Sequence, residues 1–120
     1  MVVNFLFDGP GDAAATILLA HGAGAPMDSA SMTAAAAALA NAGFRVARFE
    51  FAYMAARRDG VRKPPPRAET LIPEYQAAVA ALGARGPLII GGKSMGGRVA
   101  SMAADGLLAD GAIAGLLCLG

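Results

Sequence analysis

The sequence predicts an α/β fold: a mostly parallel sheet with helices on both faces. Three observations predict it. Short apolar runs with strand character alternate along the chain with longer helical segments. Two of those runs, "ATILLA" (15–20) and "PLII" (87–90), are continuously apolar, as befits strands covered on both faces. Glycine-rich loops follow them directly, where open α/β sheets place their ligands.

The elements follow in order. "VVNFLF" (2–7) reads as a strand closed by the turn Asp8-Gly9-Pro10-Gly11. The strand over 15–20 runs into the loop "HGAGAP". A helix is predicted from about Asp28 to Ala42, with Asp28, Ser29 and Ser31 as candidate N-caps and Gly43 as its stop. "FRVARFEF" (44–51) is a further strand. Residues 52–67, "AYMAARRDGVRKPPPR", read as a long loop, because the triple proline excludes helix and favours an extended chain. "AETLIPEYQAAVAALGARG" (68–86) reads as a helix whose first turns Pro73 disturbs. A strand over 88–91, a helix from Ser94 to about Ala104 and a last strand over 112–120 complete the order. The three loops at 21–26, 52–67 and 91–96 all follow strand ends, so they should meet at one edge of the sheet.

Composition bounds the function. With 120 residues the prior is one domain. At 56% hydrophobic and 16% charged it is too apolar for disorder. A net charge of +1 gives no reason to expect nucleic acid or a membrane surface as partner. The single cysteine, Cys118, has no internal partner and reads as a buried core thiol. The first Lys or Arg is Arg45, so a basic leader is missing, and no apolar run reaches about 20 residues. A soluble cytoplasmic protein is expected.

Chemistry concentrates in "LIIGGKSMGGR" (88–98). Gly92-Lys93-Ser94-Met95-Gly96 fits G-x-S-x-G, which exposes a nucleophilic serine on a strand-to-helix turn. Gly92 and Gly96 remove the side chains that would collide in such a turn. An ordinary N-cap serine on a tight turn is the competing reading. "GGKS" also resembles the end of a phosphate loop, but Pro87 stands where its first glycine belongs, and the strand leaves too few free amides to wrap a triphosphate. A dinucleotide fingerprint fails because Met27 replaces the third glycine after Gly22 and Gly24.

An acyl-transfer site needs two donors for the developing oxyanion. The Met95 backbone N–H would be one. The second would come from "HGAGA" (21–25), best from Ala23, with Gly22 and Gly24 letting that backbone approach closely. His21 reads as a support that orients this loop, since a base placed before the serine breaks the usual order of such sites. Arg57 and Arg58 belong to a run holding half of all Lys and Arg, between Arg57 and Arg67. They are either a solvated loop or substrate contacts. No metal or organic cofactor is implied.

"LLAHGAGAPMDSASM", "RVARFEFAYMAARR", "RKPPPR" and "IIGGKSMGGRVASMAAD" together resemble the α/β-hydrolase family, in its dienelactone-hydrolase-like branch. The nearer resemblance is to bacterial predicted hydrolases related to testis-expressed protein 30 and to subunit 3 of the NSL chromatin complex. It implies Ser94 as nucleophile, with Met95 and the His21–Gly24 loop as oxyanion hole. In that family an Asp or Glu and then a His follow the serine. Asp105 and Asp110 come too soon after Ser94, and no histidine follows it. The expectation is therefore a single, incomplete α/β-hydrolase domain over 1–120: the N-terminal part of an esterase-like serine hydrolase for small acyl substrates, inactive by itself. A non-catalytic binding or scaffold module of the same fold is the alternative. The last strand would leave an open edge, so self-association is expected.

Overall fold

A computed structural model describes residues 2–120. Five strands form one sheet: β1 (Leu6–Asp8), β2 (Thr16–Ala20), β3 (Arg45–Phe49), β4 (Leu88–Lys93) and β5 (Gly115–Leu119). Their order across the sheet is β1-β3-β2-β4-β5. All neighbours run parallel except β1, which pairs antiparallel with β3. The helices are α1 (Ala30–Asn41), α2 (Ala52–Arg57), α3 (Ile72–Leu82) and α4 (Met95–Ala109), with a 3-10 turn over Ala68–Leu71.

Chain direction explains which face each helix covers. From β2 the chain steps one way to β3 through α1, then crosses back over β2 to β4 through α3. Right-handed crossovers in opposite directions place their helices on opposite faces. Accordingly, Ile17, Leu19 and Val46 pack with Met32 and Ala36 of α1. Leu18, Ala20, Ala47 and Ile90 face the other way, onto Tyr75 and Ala78 of α3 and Val99, Ala100 and Ala103 of α4. β2 therefore buries every residue, as its continuous apolar run predicts. The order also puts a topological switch point between the carboxyl ends of β2 and β4, where α/β sheets bind ligands.

Local signals set the helix ends. Ser29 Oγ accepts the Met32 N–H at 3.3 Å, so of the three N-cap candidates Ser29 is the cap of α1. Gly83, at φ 55°, closes α3 in the left-handed conformation that favours glycine. Pro73 lies in the first turn of α3, where its missing N–H has no intrahelical acceptor to lose, so it opens the helix instead of disturbing it.

The structure differs from expectation at several points. The first strand is three residues long, not six, because only Leu6–Asp8 pairs with β3. Residues 52–57 are helical, not loop: Glu74, reaching over from α3, accepts the Ala52 N–H at 2.8 Å and caps α2 from outside. α4 continues past Ala104 to Ala109. Cys118 is exposed rather than buried. It lies on an edge strand whose exposure alternates, with its thiol directed at the Gly97 carbonyl at 3.6 Å.

Two buried polar groups hold the sheet to its surroundings. Arg48 on β3 pairs with Asp8 of β1 at 3.0 Å and donates to the Met27 carbonyl at 2.9 Å and to Thr33 Oγ1 at 3.1 Å. A buried guanidinium needs that many acceptors to offset its desolvation. The fully buried Tyr75 hydroxyl lies 2.8 Å from the Leu18 carbonyl and 2.7 Å from that of Gly91, and accepts the Gly91 N–H at 2.9 Å. It thus pins α3 to the two central strands, and burial pushes its ionisation well above the ordinary tyrosine range. No helix among the described residues is long and apolar enough to cross a membrane.

Tyr75→Phe keeps the ring but removes the hydroxyl's bonds to the buried backbone of Leu18 and Gly91. A loss of about 1–3 kcal/mol is expected, read as a lower urea midpoint with an unchanged slope.

Candidate active site

β4 ends at Lys93, and the next residue turns the chain into α4. Ser94 makes that turn at φ 53°, ψ −118°, and among the described residues it is the one non-glycine with positive φ. Such a conformation costs on the order of 1–3 kcal/mol and persists only where the surroundings enforce it. They do so here by direct backbone contact. A Cβ on Gly92 would lie 2.6 Å from the Ala20 carbonyl oxygen and 2.6 Å from the Gly96 carbonyl carbon. One on Gly96 would overlap the carbonyl oxygens of both Ala20 and His21. The turn is also tied on its outer side, where the Ser94 N–H donates to the Leu119 carbonyl at 2.9 Å.

Ser94 occupies the N-cap position of α4, yet its hydroxyl makes no capping bond. The contrast with Ser29 is instructive: at φ −59°, ψ 160° that serine turns its Oγ onto its own helix. The ordinary N-cap reading therefore fails for Ser94. Its side chain is exposed at the start of a helix, in the favourable field of the helix N-terminus. An open depression of about 650 Å³ lies against it, lined also by Met95, Arg98, Ser101, Cys118 and Leu119.

The loop after β2 meets this turn. A Cβ on Gly22 would be 3.6 Å from the Ser94 Cβ and 3.4 Å from the Lys93 carbonyl oxygen. Among the described residues neither the Ala23 nor the Met95 amide donates to a protein acceptor. Three bonds fix the loop. The Phe51 N–H donates to His21 Nε2 at 3.1 Å, His21 Nδ1 lies 2.6 Å from the Gly22 carbonyl, and the Tyr53 hydroxyl donates to the Ala23 carbonyl at 2.9 Å. The bond from Phe51 requires an unprotonated Nε2, which assigns the proton to Nδ1 and aims it at Gly22. His21 is fully buried, edge-on to the rings of Phe51 and Tyr53. Burial lowers its pKa below 6.5, against the Gly22 carbonyl and Glu50, which raise it; Arg57 lowers it further. With both nitrogens engaged, His21 has no free lone pair for Ser94.

The arginines separate. Arg58 Nε donates to Glu50 Oε1 at 2.8 Å, and its terminal nitrogens reach Glu50 Oε2 at 2.6 Å and Asp28 Oδ1 at 2.9 Å. That network holds its charge more firmly and lowers the pKa of Asp28. Arg57 makes no ion pair with a described residue and stands 5.7 Å over the Tyr53 ring. Asp105 lies along α4, about 16 Å from Ser94 at 1.5 Å per residue, and Asp110 is farther still, at the helix end. No group of three His, Cys, Asp or Glu side chains suited to a metal occurs among the described residues. Sequence reasoning missed Phe51 and Tyr53, which steady the loop; the alternating aromatics of "FEFAY" were the available signal.

A family model described as an alpha/beta hydrolase domain matches residues 13–120. The chain belongs to the α/β-hydrolase family. Comparison with curated proteins and with solved structures brings no match. The α/β-hydrolase match takes in all four parallel strands, the loop after β2 and the Ser94 turn, and leaves out only β1 among the strands.

Gly96→Ala forces a side chain onto two backbone carbonyls and is expected to cost at least about 1–3 kcal/mol. Gly24→Ala meets nothing within 4 Å and should stay within about 0.5 kcal/mol of the parent; thermal unfolding of both variants checks the pair. For His21, nitrogen NMR should show the Nδ1-protonated tautomer and a titration midpoint below 6.5. Because the unfolded chain takes up this proton more readily than the folded one, stability should fall as pH drops below about 6.5.

Proposed function

We propose that Ser94 is the nucleophile of an acyl hydrolase acting on small esters, in the dienelactone-hydrolase-like branch of its family. One observation carries this reading: a strained, exposed serine whose hydroxyl caps no helix, set against a loop with uncommitted amides. Ser94 Oγ would attack the ester carbonyl carbon and pass its proton to a base. The developing oxyanion would accept from the Met95 and Ala23 N–H groups. Loss of the alcohol leaves an acyl-enzyme, and water then releases the acid.

No histidine among the described residues has a nitrogen free to take that proton. His21 is the one histidine in the sequence, and its two nitrogens are bonded elsewhere. The same fact favours a second reading, a binding or scaffold module that keeps the fold without turnover. Either way, the open β5 edge supports association between copies at high concentration, visible as concentration-dependent light scattering.

An activated phosphonate probe tests the proposal on the chain itself. Without a base, hydroxide must supply the activation. Labelling should therefore be slow, rise steadily with pH, show no plateau near neutrality, and vanish in Ser94→Ala. The oxyanion donors alone are worth a residual acceleration on the order of 10³–10⁴ over water. Fast labelling with a plateau near pH 7 would return His21 to the role of base. Equal labelling of the parent and Ser94→Ala would end the hydrolase reading.

A further inference from the structure

Three consecutive residues at the start of α2 each bond to another part of the molecule. The Phe51 N–H donates to His21 Nε2, the Ala52 N–H to Glu74 Oε1 at 2.8 Å, and the Tyr53 hydroxyl to the Ala23 carbonyl at 2.9 Å. Two of these bonds end on the loop after β2. The third reaches α3 instead.

The loop has little of its own to fix it. Ala23 lies between Gly22 and Gly24, and a Cβ at Gly24 would meet nothing within 4 Å. The peptides on either side of Ala23 are held from outside. His21 Nδ1 bonds the Gly22 carbonyl, and in a planar trans peptide the Ala23 N–H then points the opposite way. The Tyr53 hydroxyl bonds the Ala23 carbonyl itself. The direction of the Ala23 amide is therefore only as fixed as His21 and Tyr53 are.

Tyr53 depends in turn on a helix of six residues. A helix this short does not sustain itself, and its N-cap residue, Phe51, makes no side-chain cap. Glu74 supplies one. Its own place is firm, because the next residue is the fully buried Tyr75, bonded to β2 at Leu18 and to β4 at Gly91. Arg58 ties the other end of α2 to Glu50 and Asp28. A relay thus runs from the two central strands through Tyr75, Glu74, Ala52 and Tyr53 to Ala23. Those strands are the ones that lead into the loop and into Ser94.

We propose that Glu74 is a positioning residue for the oxyanion loop: by capping α2 at Ala52 it keeps Tyr53, and through it the Ala23 amide, aligned on Ser94. Calling the loop an oxyanion hole rests on the hydrolase reading; the relay does not. The acceptor oxygen of Glu74 is what acts here, not its charge.

Three variants test this. Glu74→Gln keeps an acceptor oxygen, Glu74→Leu removes it, and Ala52→Pro removes the donor. Proline suits that position, since Ala52 is the first residue of α2 and Phe51 before it is already extended at φ −66°, ψ 153°. Nitrogen relaxation of the Ala23 amide and phosphonate labelling of Ser94 are followed in all three and in the parent. The Ala23 order parameter should be about 0.85 in the parent and Glu74→Gln, and fall below about 0.6 in Glu74→Leu and Ala52→Pro. The Ser94 amide, held by Leu119, should not change. Labelling should slow at least about tenfold where the bond is lost, up to the order of 10²–10³ that removal of an oxyanion donor costs, and stay within about twofold in Glu74→Gln. Should Glu74→Leu fail to fold, Ala52→Pro decides. An unchanged Ala23 amide in the folded variants, or a Glu74→Gln as impaired as Glu74→Leu, would overturn the proposal. So would a loosened Ala23 with labelling at the parent rate, because this amide then gives Ser94 nothing. A loosened Ala23 beside a Ser94 that does not label even in the parent keeps the relay and removes the hydrolase reading.

Discussion

The turn after β4 lies directly on the carboxyl end of β2, with no side chain between the two backbones. Everything at the candidate site depends on that contact. It leaves no room for a Cβ at 92 or 96, and it holds the intervening serine at a dihedral pair that an L-residue rarely adopts. It also requires β2 and β4 to be neighbours, which is where the chain reverses its direction of travel across the sheet. The topology and the serine geometry are therefore one constraint seen at two scales. Strain of this kind has to be maintained by packing, and here the packing is backbone against backbone, which has no rotamers through which to relax.

Around that contact the polar groups are arranged to hold still rather than to react. His21 spans the loops after β2 and β3 with one donated and one accepted bond, and its burial favours the neutral form. Tyr53 and Tyr75 do similar work from the two sides, one at Ala23 and one at Gly91. Each uses an aromatic body to fill apolar space and a single hydroxyl to satisfy backbone groups. The side chain left without such an engagement is the serine itself. Reactive and supporting groups thus differ here in whether their hydrogen bonds are already complete.

Much of this was legible in the chain. An unbroken apolar run announced β2 as central, Gly43 announced the end of α1, and two glycines flanking a serine announced the turn. What escaped shares a physical cause: dependence on a partner distant in sequence. α2 is six residues long and is capped by Glu74, 22 positions later than Ala52, so its own propensities could not reveal it. The brevity of β1 is set by how far β3 pairs with it. The exposure of Cys118 follows from β5 standing at a margin, which composition does not record. The motif gave the position of Ser94 but not the freedom of its hydroxyl, because that depends on φ and ψ, and these are imposed from β2.

The amide of Ser94 is anchored to Leu119, and Leu119 belongs to a strand that pairs on one side alone among the described residues. Margins of sheets open more often than their interiors. Each such opening removes one of the restraints on the serine turn while leaving the contact with β2 in place. The persistence time of the strained geometry is therefore borrowed from the fraying kinetics of β5. A substitution at Leu117, whose side chain packs against the α1-side core, would change how long the turn survives between relaxations without altering its average shape.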